Sequence, residues 1–266
     1  MSKTRLDQLI FDKGYAESRE RAKALIMSGC VFLNGQRADK PGMFVPEDAE
    51  PEVHRKDLPF VSRGGYKLDK GIRVFNIDPA GKTCIDCGAS TGGFTDVLLQ
   101  HGAEKVYAVD VGYGQLAWKL RNDSRVVNLE RTNLRYVTRE QIPEPLDLAV
   151  CDVSFISLRL VMPAVAPLLK KDAGIMCLIK PQFEAGRELV GKKGVVRDAS
   201  VHEQVIRAML DFMPTIGFSV RGLDYSPITG PEGNIEFLLY MKNSDEKPVD
   251  TDISALVDRA HRELKK

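Results

Sequence analysis

The chain has 266 residues, 43% of them apolar and 28% charged, with a formal net charge of +1. That is enough for one large domain and a small one, and the composition excludes a disordered or low-complexity protein. A net charge so near zero gives no global field for a polyanion, so any such partner must be met by segregated basic residues.

The first residues, Met-Ser-Lys-Thr-Arg-Leu-Asp, carry no apolar h-region, and no later run reaches the ~18 uninterrupted apolar residues of a membrane helix. The expectation is a soluble cytoplasmic protein. Leu6, Leu9 and Ile10 share one helical face, and Ala22, Leu25 and Ile26 share another. Ser18 is placed to start the second helix and Gly29 to end it. Val31-Phe-Leu33 reads as a short strand with a turn at Asn34-Gly35. Up to Gly42 this segment has eight Lys/Arg against five Asp/Glu, a net of +3. Residues 46–59 are rich in Pro, Glu and Asp. A strand around Glu52-Val53-His54 closes the small unit, and 55–61 read as a linker.

From about residue 60 strands and helices alternate. Lys82–Asp86, Lys105–Asp110, Val126–Leu129, Leu146–Val150 and Ile175–Ile179 are strand candidates, separated mostly by helical stretches at 93–101, 115–121 and 157–169. This order implies a parallel sheet covered on both faces. A helix at 200–215 precedes two strand-like runs, 218–225 and 234–241, joined as a hairpin, and residues 250–264 form an amphipathic helix. The expected division is therefore 1–54, a linker at 55–61, a main domain at 62–245, and a tail with helix at 246–266.

In such sheets ligands bind beyond the carboxyl ends of the strands. The first strand here runs into a glycine-rich turn, Asp86-Cys-Gly-Ala-Ser-Thr-Gly-Gly-Phe94, and then a helix. Glycines let backbone approach a ligand, and the helix start offers free N–H groups. A dinucleotide site would read G-x-G-x-x-G. Here Gly88 is followed by Ser90, so the turn occupies that place without being the nicotinamide version. The next strand ends in Asp110, an acid suited to accept bonds from ribose hydroxyls. The plainer alternative is a simple strand–helix turn with Asp110 as a surface cap. Two more polar residues follow strands: Asp152 and Lys180. Glu236 stands inside the otherwise largely apolar run Asn234-Ile-Glu-Phe-Leu-Leu-Tyr240, where an unpaired charge is costly.

Several of these segments together resemble a known family. Asp86-x-Gly-Ala-Ser-Thr-Gly-Gly-Phe-Thr95, Ala108-Val-Asp-Val-Gly-Tyr-Gly-Gln-Leu116, Glu130-Arg-Thr-Asn133, Asp152-Val-Ser-Phe-Ile-Ser157 and Ile179-Lys-Pro-Gln-Phe-Glu184 are similar to the TlyA family, ribosomal RNA 2′-O-methyltransferases with an FtsJ-like catalytic domain. The resemblance implies a Rossmann-like class I α/β fold, with a seven-stranded, mostly parallel sheet ending in an antiparallel hairpin. It implies S-adenosylmethionine as cofactor, held by Asp86, Gly88, Ala89, Ser90, Thr91, Gly92, Gly93, Phe94, Asp110, Val111, Glu130, Thr132, Asn133 and Asp152. It also implies a Lys-Asp-Lys-Glu tetrad at Lys67, Asp152, Lys180 and Glu236. Lys180 is then the base and Asp152 orients it, while Lys67 and Glu236 position the 2′-hydroxyl. Lys70 stands one turn from Lys67 and competes for its place.

The pattern Arg5-Leu-Asp7…Leu9…Gly14…Ser18-Arg19…Ala22…Ile26…Gly29-x-Val31-x-Leu-Asn-Gly35 resembles an S4 domain, which adds a small α+β RNA-binding unit. Arg5, Arg19, Arg21 and Lys23 are the expected RNA contacts there, and they would carry shape rather than sequence information. Arg63 and Lys70 in a basic zone at 55–73, and Arg187, Lys192 and Lys193 in a loop after Lys180, extend the expected track. The expected partner is ribosomal RNA within ribosomal subunits, usually at a cytidine, and the chain is expected to act as a monomer without membrane contact. The competing readings are a methyltransferase for a protein or small molecule, a non-catalytic RNA-binding or assembly factor, and a membrane-active haemolysin, a label this family has carried. Five cysteines, odd in number and mostly in apolar runs, indicate reduced thiols, so Cys84 and Cys87 are expected to pack rather than to hold a metal. The four histidines show no ligand spacing, so no metal is expected. Trp118 is expected to pack, with flanking of the cofactor's adenine as the alternative.

Overall fold

The computed structural model describes residues 3–16, 18–27, 30–33, 35–53 and 59–264, in two compact units, Met1–Pro59 and Phe60–Lys266. Gly29, Asn34, His54 of the expected closing strand and the 55–58 part of the expected linker lie outside the described residues.

The N-terminal unit contains β1 (Lys3–Arg5), α1 (Leu6–Asp12), α2 (Arg19–Met27), β2 (Val31–Leu33), β3 (Gln36–Arg37), β4 (Phe44–Pro46) and β5 (Pro51–Val53). The Ser18 hydroxyl accepts the Arg21 N–H at 3.2 Å and so caps α2. Leu6, Leu9 and Ile10 meet Ala22, Ile26 and Val31 in one small core. Strands β1 and β4 pair with each other and were not apparent in the sequence, because three residues are too few to show alternation.

The larger unit runs α3 (Gly65–Phe75), β6 (Thr83–Cys87), α4 (Gly93–Gln100), β7 (Lys105–Val109), α5 (Trp118–Arg121), β8 (Val126–Leu129), β9 (Leu146–Cys151), α6 (Leu158–Val165), β10 (Leu169–Ile179), α7 (Pro181–Glu184), α8 (Ala199–Phe212), β11 (Ser219–Tyr225), β12 (Phe237–Lys242) and α9 (Ile253–Leu264). Its sheet has seven strands in the order β11-β12-β10-β9-β6-β7-β8. β8, β7, β6, β9 and β10 are mutually parallel. β12 is antiparallel to both β10 and β11, so the last strand is inserted between its two predecessors. Side chains alternate between the two faces, as the period of a strand requires. Cys84, Val106, Leu148, Val150 and Met176 pack under α3 and α4. Ile85, Val109, Ala149, Ile175 and Phe237 pack under α6, α8 and α9. Cys84, Cys87, Cys151 and Cys177 are buried free thiols in these layers. No helix among the described residues is long and apolar enough to cross a membrane.

Four expectations need correction. The helix expected over 157–169 ends at Val165, because Pro163 and Pro167 remove two amide donors and tighten the chain into a 3-10 turn; Leu169 already begins β10. Phe60 and Val61 belong to the large unit rather than to a linker: Phe60 is buried, and the Val61 N–H donates to Asp96 at 2.8 Å. The C-terminal helix is no separate tail, since Leu256, Val257 and Ala260 lie in the main core. Trp118 is 72% exposed, because Leu116 and Leu120 take the inward side of that turn.

Candidate active site

Four parallel strands deliver polar groups to one edge of the sheet. The glycine turn follows β6, Asp110 follows β7, Asp152 follows β9 and Lys180 follows β10. Glu236 immediately precedes β12, and because that strand runs the opposite way its start lies at the same edge. Lys67 comes from the first turns of α3.

At this edge Lys180 Nζ stands 2.6 Å from Asp152 Oδ1 and Lys67 Nζ stands 3.4 Å from Asp152 Oδ2. Lys67 is also 2.5 Å from Glu236 Oε2, close in charge but poorly aligned as a hydrogen bond. Lys180 donates further to the Ser154 hydroxyl at 2.9 Å. Lys67, Lys180 and Glu236 are 7%, 6% and 0% exposed, so these charges meet where water screens them little. For Lys67, burial disfavours the charged form, but the carboxylates of Asp152 and Glu236 outweigh it and hold the ammonium above its ordinary range. The charged form of Lys67 is therefore favoured. Lys70 does not take its place. It faces Asp224 at 3.1 Å, away from Asp152 and Glu236.

The glycine turn lines a cleft of about 120 Å³ together with Ser62, Gly64 and Asp152. Gly88 has φ +86°, and a Cβ there would lie 3.0 Å from the Asp152 carbonyl oxygen. A Cβ on Gly93 would strike the Ser62 hydroxyl. These glycines let the turn pack closely against the end of β9 and the segment before α3, and the largely backbone-walled cleft that results fits a cofactor carrying an amino-acid part. Ser90 holds a left-handed φ of +48° without being glycine, and its N–H donates to Asp110 Oδ2 at 2.8 Å. The Gly112 N–H donates to the other Asp110 oxygen at 2.6 Å, so this carboxylate is oriented from both sides. Val111 is exposed. Glu130 pairs with Arg121, the Thr132 N–H donates to the Asp110 carbonyl at 2.9 Å, and Asn133 caps the turn that follows. Ser62 and Ser154 were missed as site residues in the sequence, although both sit within the segments that drew attention to Lys67 and Asp152.

Asp86 lies fully buried behind the turn and accepts the Thr95 N–H at 2.9 Å and hydroxyl at 2.7 Å through Oδ2, while Oδ1 has no partner. Burial pushes its carboxyl up to about 7, against the opposing pull of those Thr95 bonds. Because the folded-state value is raised, the native state binds the extra proton, and stability falls as pH rises from about 4 to about 7. Asp86→Asn should flatten that part of the profile, as measured by urea unfolding across the range.

In the N-terminal unit, Arg5 and Arg19 converge on buried Asp7, at 2.9 and 3.2 Å. The Arg5 hydrogen bond, against the opposing effect of burial, holds the Asp7 carboxyl below its usual range. The two half-exposed guanidiniums are thus aimed by one acid that the sequence showed only as a countercharge. Arg21 is exposed and Lys23 lies 3.9 Å from Glu20. In the larger unit Arg63, Arg187, Lys192 and Lys193 are exposed. Lys70 departs from its expected RNA-facing place, because Asp224 and the Tyr225 carbonyl engage its ammonium. His202 and His261, apart in sequence, meet at 2.8 Å between α8 and α9.

An FtsJ-like methyltransferase model matches residues 60–243, and an S4 domain model matches residues 4–50. The chain belongs to the FtsJ-like methyltransferase family. Within that family it is similar over nearly its whole length to TlyA proteins. The 16S/23S rRNA (cytidine-2′-O)-methyltransferase TlyA of Mycobacterium tuberculosis is 43% identical over 98% of this chain and 97% of its own. An rRNA methyltransferase candidate of Bacillus subtilis, YqxC, is 50% identical over 99% of this chain and 96% of its own. A solved structure of a haemolysin candidate from Streptococcus thermophilus is 47% identical, with a TM-score of 0.80, covering 100% of this chain and 98% of that one. FtsJ-like family membership accounts for the strand order and for the turn after β6. The N-terminal S4 domain accounts for the separate small core.

Proposed function

We propose that this chain transfers the methyl group of S-adenosylmethionine to a ribose 2′-hydroxyl, in a cytidine of ribosomal RNA. The observation that carries the reading is the cluster of buried Lys67, Lys180 and Glu236 around the partly buried Asp152 beside the glycine turn. A ribose hydroxyl is a weak nucleophile until its proton leaves, and a sulfonium is already an activated methyl donor, so alignment and proton removal suffice. Lys180, in its neutral amine form, takes the hydroxyl proton at Nζ and becomes the ammonium that pairs with Asp152, as the methyl leaves the sulfonium for the ribose oxygen. Asp152 and Ser154 hold that nitrogen in place. Lys67, kept cationic, donates to the hydroxyl oxygen, and Glu236 fixes Lys67. The turn from Gly88 to Phe94, with Asp86 behind it, would hold the cofactor's amino-acid part, Asp110 and Val111 its ribose, and Glu130, Thr132 and Asn133 its base.

The RNA substrate is favoured by the S4 domain, and the cytidine by the name of the mycobacterial relative. Such a substrate places the protein in the cytoplasm with ribosomal subunits, and it needs no second copy. The test is to incubate the protein with tritiated S-adenosylmethionine and ribosomal subunits and map the label. Label in protein, or none in RNA, overturns the reading; label on a cytidine 2′-oxygen is the expected result. Phosphate contacts from Arg5, Arg19, Arg21 and Lys23, with Arg63, Arg187, Lys192 and Lys193, also make RNA affinity fall steeply and linearly in log–log salt plots. A flat salt response would remove these residues from the interface.

A further inference from the structure

Asp224 is 7% exposed at the end of β11, and the chemistry proposed above gives it no part. Its carboxylate meets cations from two helices: Lys70 Nζ of α3 at 3.1 Å and Arg259 Nη2 of α9 at 3.6 Å. It also accepts the Tyr225 N–H at 2.8 Å. Lys70 donates to the Tyr225 carbonyl at 2.7 Å and lies 3.7 Å from the centre of the Tyr225 ring. The Tyr225 hydroxyl donates to Glu263 at 2.6 Å, a second tie to α9.

Two tetrad residues depend on elements that this cluster grips. Lys70 is nearly one turn beyond Lys67 on α3, so fixing one sets the rotation of the helix at the other. The residue after Tyr225, Ser226, donates its N–H to the carbonyl of Glu236 at 2.8 Å, and Tyr225 pairs with Phe237 across the strands. A buried ionic cluster is weak evidence for stability, since well-packed apolar groups often do as well; fixing a geometry is its better-attested use.

We propose that Asp224 is a positioning residue: its pair with Lys70, braced by Arg259 and Glu263 of the C-terminal helix, sets Lys67 and Glu236 relative to each other. This rests on the methyl-transfer reading of the tetrad. Asp224→Asn removes the charge at nearly constant volume. Arg259→Ala, on a half-exposed side chain, breaks the brace from outside and serves if the first variant does not fold. Each folded variant is assayed by single-turnover methylation of ribosomal subunits with tritiated S-adenosylmethionine, alongside RNA and cofactor affinity. The expected result is a methylation rate lower by about tenfold with both affinities within about twofold. Asp224→Glu, which restores the charge, should recover part of the rate. A folded variant with the full rate overturns the proposal. So does a loss that lies wholly in RNA affinity, which would make the cluster an RNA contact. Lys180→Ala, run in parallel, judges the underlying reading: if it keeps its rate the tetrad is misassigned, whereas an inactive Lys180→Ala beside a fully active Asp224→Asn fells the positioning role alone.

Discussion

Lys180→Ala should lower methyl transfer by on the order of 10²–10⁴-fold while leaving cofactor affinity nearly unchanged. Lys180 is placed by two partners, Asp152 at 2.6 Å and the Ser154 hydroxyl at 2.9 Å, and the residue is 6% exposed. Removing it takes away the proton acceptor and leaves Asp152 with Lys67 alone, at 3.4 Å. The cofactor turn after β6 is untouched, so tritiated S-adenosylmethionine should still bind by equilibrium dialysis. A variant that binds cofactor and methylates at the original rate would strip Lys180 of its role.

Gly88→Ala should act on the other half of the site. The residue sits at φ +86°, where an alanine costs about 1–2 kcal/mol in conformation alone. Its Cβ would also stand 3.0 Å from the Asp152 carbonyl oxygen and 3.3 Å from the Val153 Cα, both backbone atoms that yield only if the end of β9 moves. Either the turn or Asp152 must shift. The expected result is a lower Tm together with cofactor affinity weakened by about tenfold or more, since each ~1.4 kcal/mol is a factor of ten. Wild-type affinity in a dialysis measurement would show that the turn does not hold the cofactor.

Much of this was legible in the sequence because the fold puts its chemistry at strand ends. Asp110, Asp152 and Lys180 could be placed by topology alone, and Glu236 stood out as a charge in an apolar run. Choosing between Lys67 and Lys70 was different. They lie three residues apart on one helix, and only packing shows that the first meets Asp152 and Glu236 while the second meets Asp224. Trp118 was misread because a single aromatic in a short turn carries no periodic signal. The aiming of Arg5 and Arg19 by Asp7, and the meeting of His202 with His261, depend on pairs that local patterns cannot reveal. Family resemblance supplied what neither pattern nor topology could: the expectation that the cradle takes a methyl donor.

The strand order carries a further consequence for synthesis. Because β12 slots between β10 and β11, a nascent chain leaves the β10 edge open until residue 242 has emerged. Until then the growing protein exposes an unpaired, apolar strand edge, the kind of surface that invites wrong partners. Glu236 arrives with the same strand, so the four-residue charge cluster closes only once nearly the whole polypeptide has been made. Products of interrupted translation that end before β12 would carry the turn after β6 yet lack Glu236 and keep that edge open.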